Sequence, residues 1–183
     1  MRKILITLLL LGFSFQVKSQ ISSSNFHLKE GKIQYEKIYE IDGGTEQELN
    51  QRLESFLPTI SGLKFDFNET GFTGKVQNVI IDYKKFGGKY MTTWIPLNYP
   101  LYGNISLQVK GNRYRLLLTG IETKENEFTE PILFDDYLTK NKGNEFTTNK
   151  TILNGLELLD KFLSEKFNLL LFNGEKKEDK DDW

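Results

Sequence analysis

The sequence predicts an α+β domain in two layers, an antiparallel sheet with two helices on one face, in the order strand, helix, four strands, helix. Three observations predict it. Five segments alternate apolar and polar side chains with period two, two carry apolar stripes of helical period, and Gly111-Asn112 stands as a two-residue turn between two of the alternating segments. An antiparallel sheet that is apolar on one side buries that side under amphipathic helices, and its reverse stays open or takes loops.

The first strand spans Lys32 to Ile41, with Ile33, Tyr35, Tyr39 and Ile41 on one side and Gln34, Glu36 and Glu40 on the other. Ile38 is the one apolar residue on its polar side. Asp42-Gly43-Gly44 breaks it, and Thr45 followed by Glu48 forms a capping box, in which hydroxyl and carboxylate satisfy backbone N–H groups at the helix start. Leu49, Leu53, Phe56, Leu57 and Ile60 form one stripe, and Pro58 and Gly62 close the helix. Leu63, Phe65 and Phe67 mark a second strand, turned at Asn68-Glu69-Thr70-Gly71 into a third from Phe72 to Tyr83. Apolar parity slips within the third, from Phe72 and Val76 to Val79 and Ile81, so either a β-bulge near Gln77-Asn78 or two short strands is expected.

Phe86 to Tyr102 is irregular and aromatic, and Gly87-Gly88 suggests a hairpin returning through Tyr90 to Ile95. Alternation resumes at Asn104, turns at Gly111-Asn112 and returns from Arg113 to Ile121. Glu122 to Asn149 reads as polar and irregular, with a short helix near Phe134 to Leu138. Ile152, Leu156, Leu159, Leu163, Phe167 and Leu170 then draw the stripe of a long last helix.

Residues 1–19 read as a signal peptide: Arg2 and Lys3 precede an apolar run from Ile4 to Phe15, and Val17-Lys18-Ser19 sets cleavage after Ser19. A buried N-terminal helix or a retained anchor are the alternatives. Residues 20–31 form a polar leader, 32–173 the single domain, and 174–183 a charged tail expected to be disordered. The expected address is periplasmic or extracellular, with no membrane span in the mature chain. Losing Arg2, Lys3 and Lys18 from 24 basic side chains leaves 21 against 25 acidic ones, a net charge of −4. With no basic stripe along the chain, nucleic acid is not an expected partner.

The chain has no cysteine and one histidine. This excludes disulfides, thiol catalysis and zinc or iron–sulfur sites on cysteine. Fourteen Phe, eight Tyr and two Trp suffice for a core, so neither metal nor cofactor is expected. Apolar residues at 38% and charged ones at 27% fit a soluble globular domain.

The exported leader, the strand Lys32–Ile41, the Glu48–Pro58 helix ending in Phe56-Leu57, Thr73-Gly74 and the hairpin ISLQVKGNRYR from Ile105 to Arg115 together resemble a known family. It is an uncharacterised secreted bacterial domain of unknown function with a TBP-like fold. The resemblance covers roughly residues 30–122 and, more loosely, the last helix; Phe56 stands where the family often has tryptophan. It implies a sheet with two helices and a place in the cell envelope. It implies no activity, and a TBP-like shape does not carry DNA binding.

Catalytic motifs are missing from the sequence. Gly71-Phe72-Thr73-Gly74-Lys75 lacks the spacing and hydroxyl of a phosphate loop, and His27, beside Ser22-Ser23-Ser24, reads as a solvated tail residue. The acids Glu122, Glu125, Glu127, Glu130, Asp135 and Asp136 lack calcium-loop spacing. The expectation is a non-enzymatic binding domain. On the polar sheet face, Glu36, Lys64, Asp66, Gln108, Arg113 and Arg115 point away from the helices, and the two guanidinium groups could grip a carboxylate or sulfate or pair with Glu36 or Asp66. The aromatic insertion, with Tyr90, Trp94, Tyr99 and Tyr102, would either present a stacking surface or fold back as a lid. An envelope protein or a polar or saccharide ligand would suit such a surface. The alternative is a carboxylate-dependent hydrolase using Asp66, Asp135 and Asp136.

Overall fold

A computed structural model describes residues 24–68, 71–126 and 128–172. The signal peptide, residues 20–23 of the leader, the turn residues 69–70, Glu127 and the charged tail lie outside the described residues.

Seven strands form one antiparallel sheet: β1 (Phe26–Lys29), β2 (Lys32–Glu40), β3 (Leu63–Asn68), β4 (Gly71–Val79), β5 (Leu101–Lys110), β6 (Arg113–Thr123) and β7 (Ile132–Leu133). Their order is β1-β2-β6-β5-β4-β3, with β7 joining the end of β6 where β2 has stopped. The two-residue turn at Gly111-Asn112 sets the long β5–β6 register, Lys110 opposite Arg113 and Leu107 opposite Leu116. The parity slip in β4 is a bulge: register shifts between Val76 and Val79, and Asn78 takes up a left-handed φ of 57°.

One side of the sheet is apolar apart from Lys37 of β2, whose ammonium reaches Ser164 of the last long helix. Tyr35 and Tyr39 of β2, Tyr114, Leu116 and Leu118 of β6, Ile105 and Leu107 of β5, and Phe72 and Val76 of β4 are all buried there. Helix α1 (Glu46–Phe56) lays Leu49, Leu53 and Phe56 into this core, and α3 (Lys150–Lys166) lays Leu156, Leu159, Phe162 and Leu163. Each such side chain contributes about 1.5–3 kcal/mol relative to exposure. The short helix α2 (Phe134–Leu138) adds Phe134 and Leu138. The capping box holds α1, Thr45 Oγ1 accepting from the Glu48 N–H while Glu48 Oε2 accepts from the Thr45 N–H at 2.6 Å. The Thr45 backbone N–H first, and then the Thr45 hydroxyl donating to the same Oε2 at 3.1 Å, lower the Glu48 pKa.

Four expectations need correction. The sheet starts earlier than Lys32, because Phe26 of the polar leader packs edge-on against Tyr35 at 5.1 Å and draws β1 into the sheet. His27 is therefore a half-buried strand residue opposite Gln34. Residues 86–95 form no hairpin: Gly87 closes a 3-10 turn, Tyr83–Phe86, at φ 91°, and Pro96 sits in another, Ile95–Asn98. The last helix does not run to Leu170. It stops at Lys166 because the Tyr114 hydroxyl donates to the Phe167 carbonyl and accepts from the Leu169 N–H, taking backbone groups a helix would use. The four-residue α4 (Leu169–Phe172) follows, which buries Leu169 and exposes Leu170. Within the polar segment after Leu138, a small hairpin of β8 (Thr139–Lys140) and β9 (Glu145–Phe146) also forms.

Candidate functional site

No described element covers the reverse of the sheet. Side chains there stand in rows set by the strand register. One row runs Lys64, Lys75, Asn104, Thr119, Gln34 and His27; the next runs Asp66, Thr73, Ser106, Leu117 and Glu36. Gln108, Arg115 and Ile38 form a third, and Lys110, Arg113 and Glu40 a fourth. Most are exposed, and Ile38, at 59% exposure, is the apolar residue the sequence places on this side. Apart from Ile38, Tyr102 and the half-buried Leu117 near its centre, the face is amide, hydroxyl and charge.

Arg113 and Arg115 share this face, as their spacing predicts. Arg115 leans across β2 to Glu36 at 3.5 Å and also donates to Gln108. Asp66, on edge strand β3, lies across the width of the sheet from both and pairs with neither. Its direct neighbour is Thr73.

Of the aromatic insertion only Tyr102 reaches this face. Trp94 is buried on the helix side, tilted against Phe134 at 4.8 Å and resting where α3 has Gly155; a Cβ at Gly155 would come within 2.8 Å of the Trp94 Cβ. It is a lid anchor with no face left for stacking. Tyr90 stays 64% exposed, Tyr99 is half-buried, and Tyr102 alternates with buried Leu101 and so lies on the sheet's open side opposite Glu122. Beside Trp94 an uncharged groove of about 750 Å³ runs between Met91, Ile95, Tyr137 and Ile152. A second groove, about 660 Å³, lies between Gly43-Gly44, the first turns of α1 and Asn112.

The carboxylates of the hydrolase alternative are dispersed. Asp135 accepts from the Ile33 N–H at 2.7 Å and pairs with Lys32 at 3.2 Å, at the β2 side of the sheet. Asp136 is exposed, and Asp66 is at the opposite sheet edge. Among the described residues no group of three or more His, Cys, Asp or Glu side chains could hold a metal ion, and no helix is long and apolar enough to cross a membrane.

Sequence reasoning missed the polar cluster under the sheet. Asp160 of α3, buried, accepts from the Asn25 backbone N–H at 3.1 Å, from its side-chain amide at 2.7 Å and from Ser164 Oγ at 3.0 Å. Ser164 Oγ also meets the Tyr35 hydroxyl at 3.0 Å and accepts from Lys37 Nζ at 2.6 Å. Tyr39 and Tyr114 stack at 4.6 Å, their hydroxyls donating to backbone carbonyls near the end of α3. Burial pushes the pKa of all three tyrosines well above the ordinary phenol value. The signal was there in principle, since Tyr rather than Phe at inward positions demands a partner for each hydroxyl.

No model of a known family matches the chain, and no curated protein matches it. Among solved structures it is similar to a TBP-like protein from Parabacteroides distasonis ATCC 8503, at 11% identity over 78% of this chain and 95% of that one, with a TM-score of 0.49. It is also similar to a DUF4468 family protein from Bacteroides ovatus ATCC 8483, at 13% identity over 80% of this chain and 85% of that one, with a TM-score of 0.46. Neither name states an activity, ligand or partner.

Proposed function

We propose that the chain is an exported, non-enzymatic binding domain whose contact surface is the open face of the sheet. The observation that carries this reading is the rows themselves. Six strands present hydroxyl, amide and charged groups to solvent on one side, while the other side is packed. Such a face is rigid, because every strand is held by its neighbours, and flat rigid polar surfaces lose little entropy on binding. Export rests on the leader's charged, apolar and small-residue regions. The non-enzymatic reading rests on the scatter of the carboxylates and on the position of His27, which stands in a row with Gln34 and Thr119. Trp94 belongs to the packed side, so the contact surface is the sheet face, to which the insertion adds Tyr102.

The test is affinity recovery of the mature chain from envelope extract, with the native chain beside a variant carrying Thr73→Arg and Gln108→Glu. Both positions are exposed, so the variant folds. Recovery of a component by the native chain but not by the variant is the expected result. Equal recovery by both would move the contact surface elsewhere.

A further inference from the structure

The open face is the cationic side of an acidic protein. Three cross-strand neighbour pairs on it are both basic: Lys29 opposite Lys32, Lys64 opposite Lys75, and Lys110 opposite Arg113. Like charges directly opposite one another destabilise a sheet. Of these six, only Lys32 has a carboxylate partner among the described residues, Asp135. With Arg115 the face holds seven basic side chains against Glu36, Glu40, Asp66, Glu122 and the Asp135 that pairs with Lys32, whereas the whole chain holds 24 basic against 25 acidic. Selection for stability alone would not keep three facing cation pairs on one surface. An anionic partner would turn each of them into a favourable contact.

The rest of the face says what kind of anion. Between the basic pairs stand Asn104, Thr119, Gln34, Thr73 and Ser106, an array of hydrogen-bond donors and acceptors. A protein partner is recognised through buried aromatic and aliphatic anchors, and this face offers little beyond Ile38, Leu117 and Tyr102. Single-stranded nucleic acid is held by stacking on aromatic side chains, which the rows lack. A carbohydrate bearing carboxylates satisfies both features, its acid groups meeting Lys and Arg and its hydroxyls meeting the amide and hydroxyl rows. We infer that the open sheet face binds an acidic polysaccharide, with Lys64, Lys75, Lys110 and Arg113 taking its carboxylates.

This inference rests on the sheet face being the contact surface, and its test separates the two. Polygalacturonate is titrated against the mature chain, alongside its fully methyl-esterified form, which keeps the hydroxyls and loses the charge, and double-stranded DNA as a polyanion without uronic acids. Saturable binding of polygalacturonate is expected, with little binding of the ester or of DNA. The exposed substitutions Lys64→Gln and Lys75→Gln together should weaken binding about tenfold and reduce the slope of log affinity against log salt by about 2. No binding, equal binding of DNA, or binding untouched by the double substitution would each overturn the inference. An envelope protein recovered through Thr73 and Gln108 with no polysaccharide binding would overturn it while leaving the proposed function in place.

Discussion

Replacing Asp160 with alanine tests how the N-terminal strand is held to the rest of the molecule. The carboxylate takes two bonds from Asn25, at 3.1 and 2.7 Å, and one from Ser164 at 3.0 Å. Hydrogen bonds to a charged group contribute about 1.5–3 kcal/mol each, and the lower figure applies because removing the acid also removes its own cost of burial. Three bonds then amount to a loss of about 4–5 kcal/mol, a large share of the roughly 5–15 kcal/mol that stabilises a domain. The melting temperature should fall by about 10–15 °C. Urea denaturation gives the free energy, and hydrogen exchange gives the location: amides of Phe26–Lys29 should lose protection before those of β5 and β6. Asn25→Ala, which removes the side-chain donor but keeps the backbone one, should cost only about 1.5 kcal/mol, and a double-mutant cycle should return most of that as coupling. A loss below about 1 kcal/mol for Asp160→Ala, or unchanged protection of β1, would refute the reasoning.

Two further perturbations probe the packed side. Tyr35, Tyr39 and Tyr114 stay neutral when folded, chiefly through burial, at pH values where the unfolded chain ionises them. Their stabilising effect is therefore fully present below about pH 10 and is lost as pH rises above it, at about 1.4 kcal/mol per pH unit for each residue. Urea melts from pH 9 to 11 should show that fall, and Tyr39→Phe should make it shallower by about a third; a flat profile would contradict the buried positions. Gly155→Ala forces a Cβ to within 2.8 Å of the Trp94 Cβ, and the overpacking should exceed the gain in helix propensity, for a net loss of about 1–2 kcal/mol with red-shifted tryptophan emission.

Local pattern made much of this fold readable from sequence. The Thr45–Glu48 cap, the Gly111-Asn112 turn and the parity slip ahead of Asn78 are short-range signals, and each corresponds to an observed bond, register or bulge. Several misses come from contacts between residues distant in the chain. Phe26 and Leu28 alternate over too few residues to be seen as a strand without the Tyr35 ring that receives Phe26. Gly88 resembles half of a hairpin turn, yet it is glycine because the Tyr83 ring and Leu158 approach it to 2.6 and 2.9 Å of where a Cβ would be. The stripe through Leu170 ignores the Tyr114 hydroxyl that ends α3. At the site the sequence separates the two faces correctly, since alternation alone assigns Arg113, Arg115, Glu36 and Asp66 to the open one. It leaves Trp94 open between a stacking surface and a lid, because the Gly155 against which it packs lies more than sixty positions away in the chain.

The chain's lack of cysteine allows the central claim to be measured one side chain at a time. Single cysteines at Thr73 and Gln108 on the open face, and at Leu107 on the packed face, can be labelled with a maleimide in the purified protein and again in native envelope extract. The account predicts fast labelling at Thr73 and Gln108 and almost none at Leu107 when the protein is pure, with Thr73 and Gln108 becoming protected in the extract. Rapid labelling at Leu107, or equal rates at Thr73 and Gln108 in both settings, would contradict a sheet packed on one side and engaged by a partner on the other.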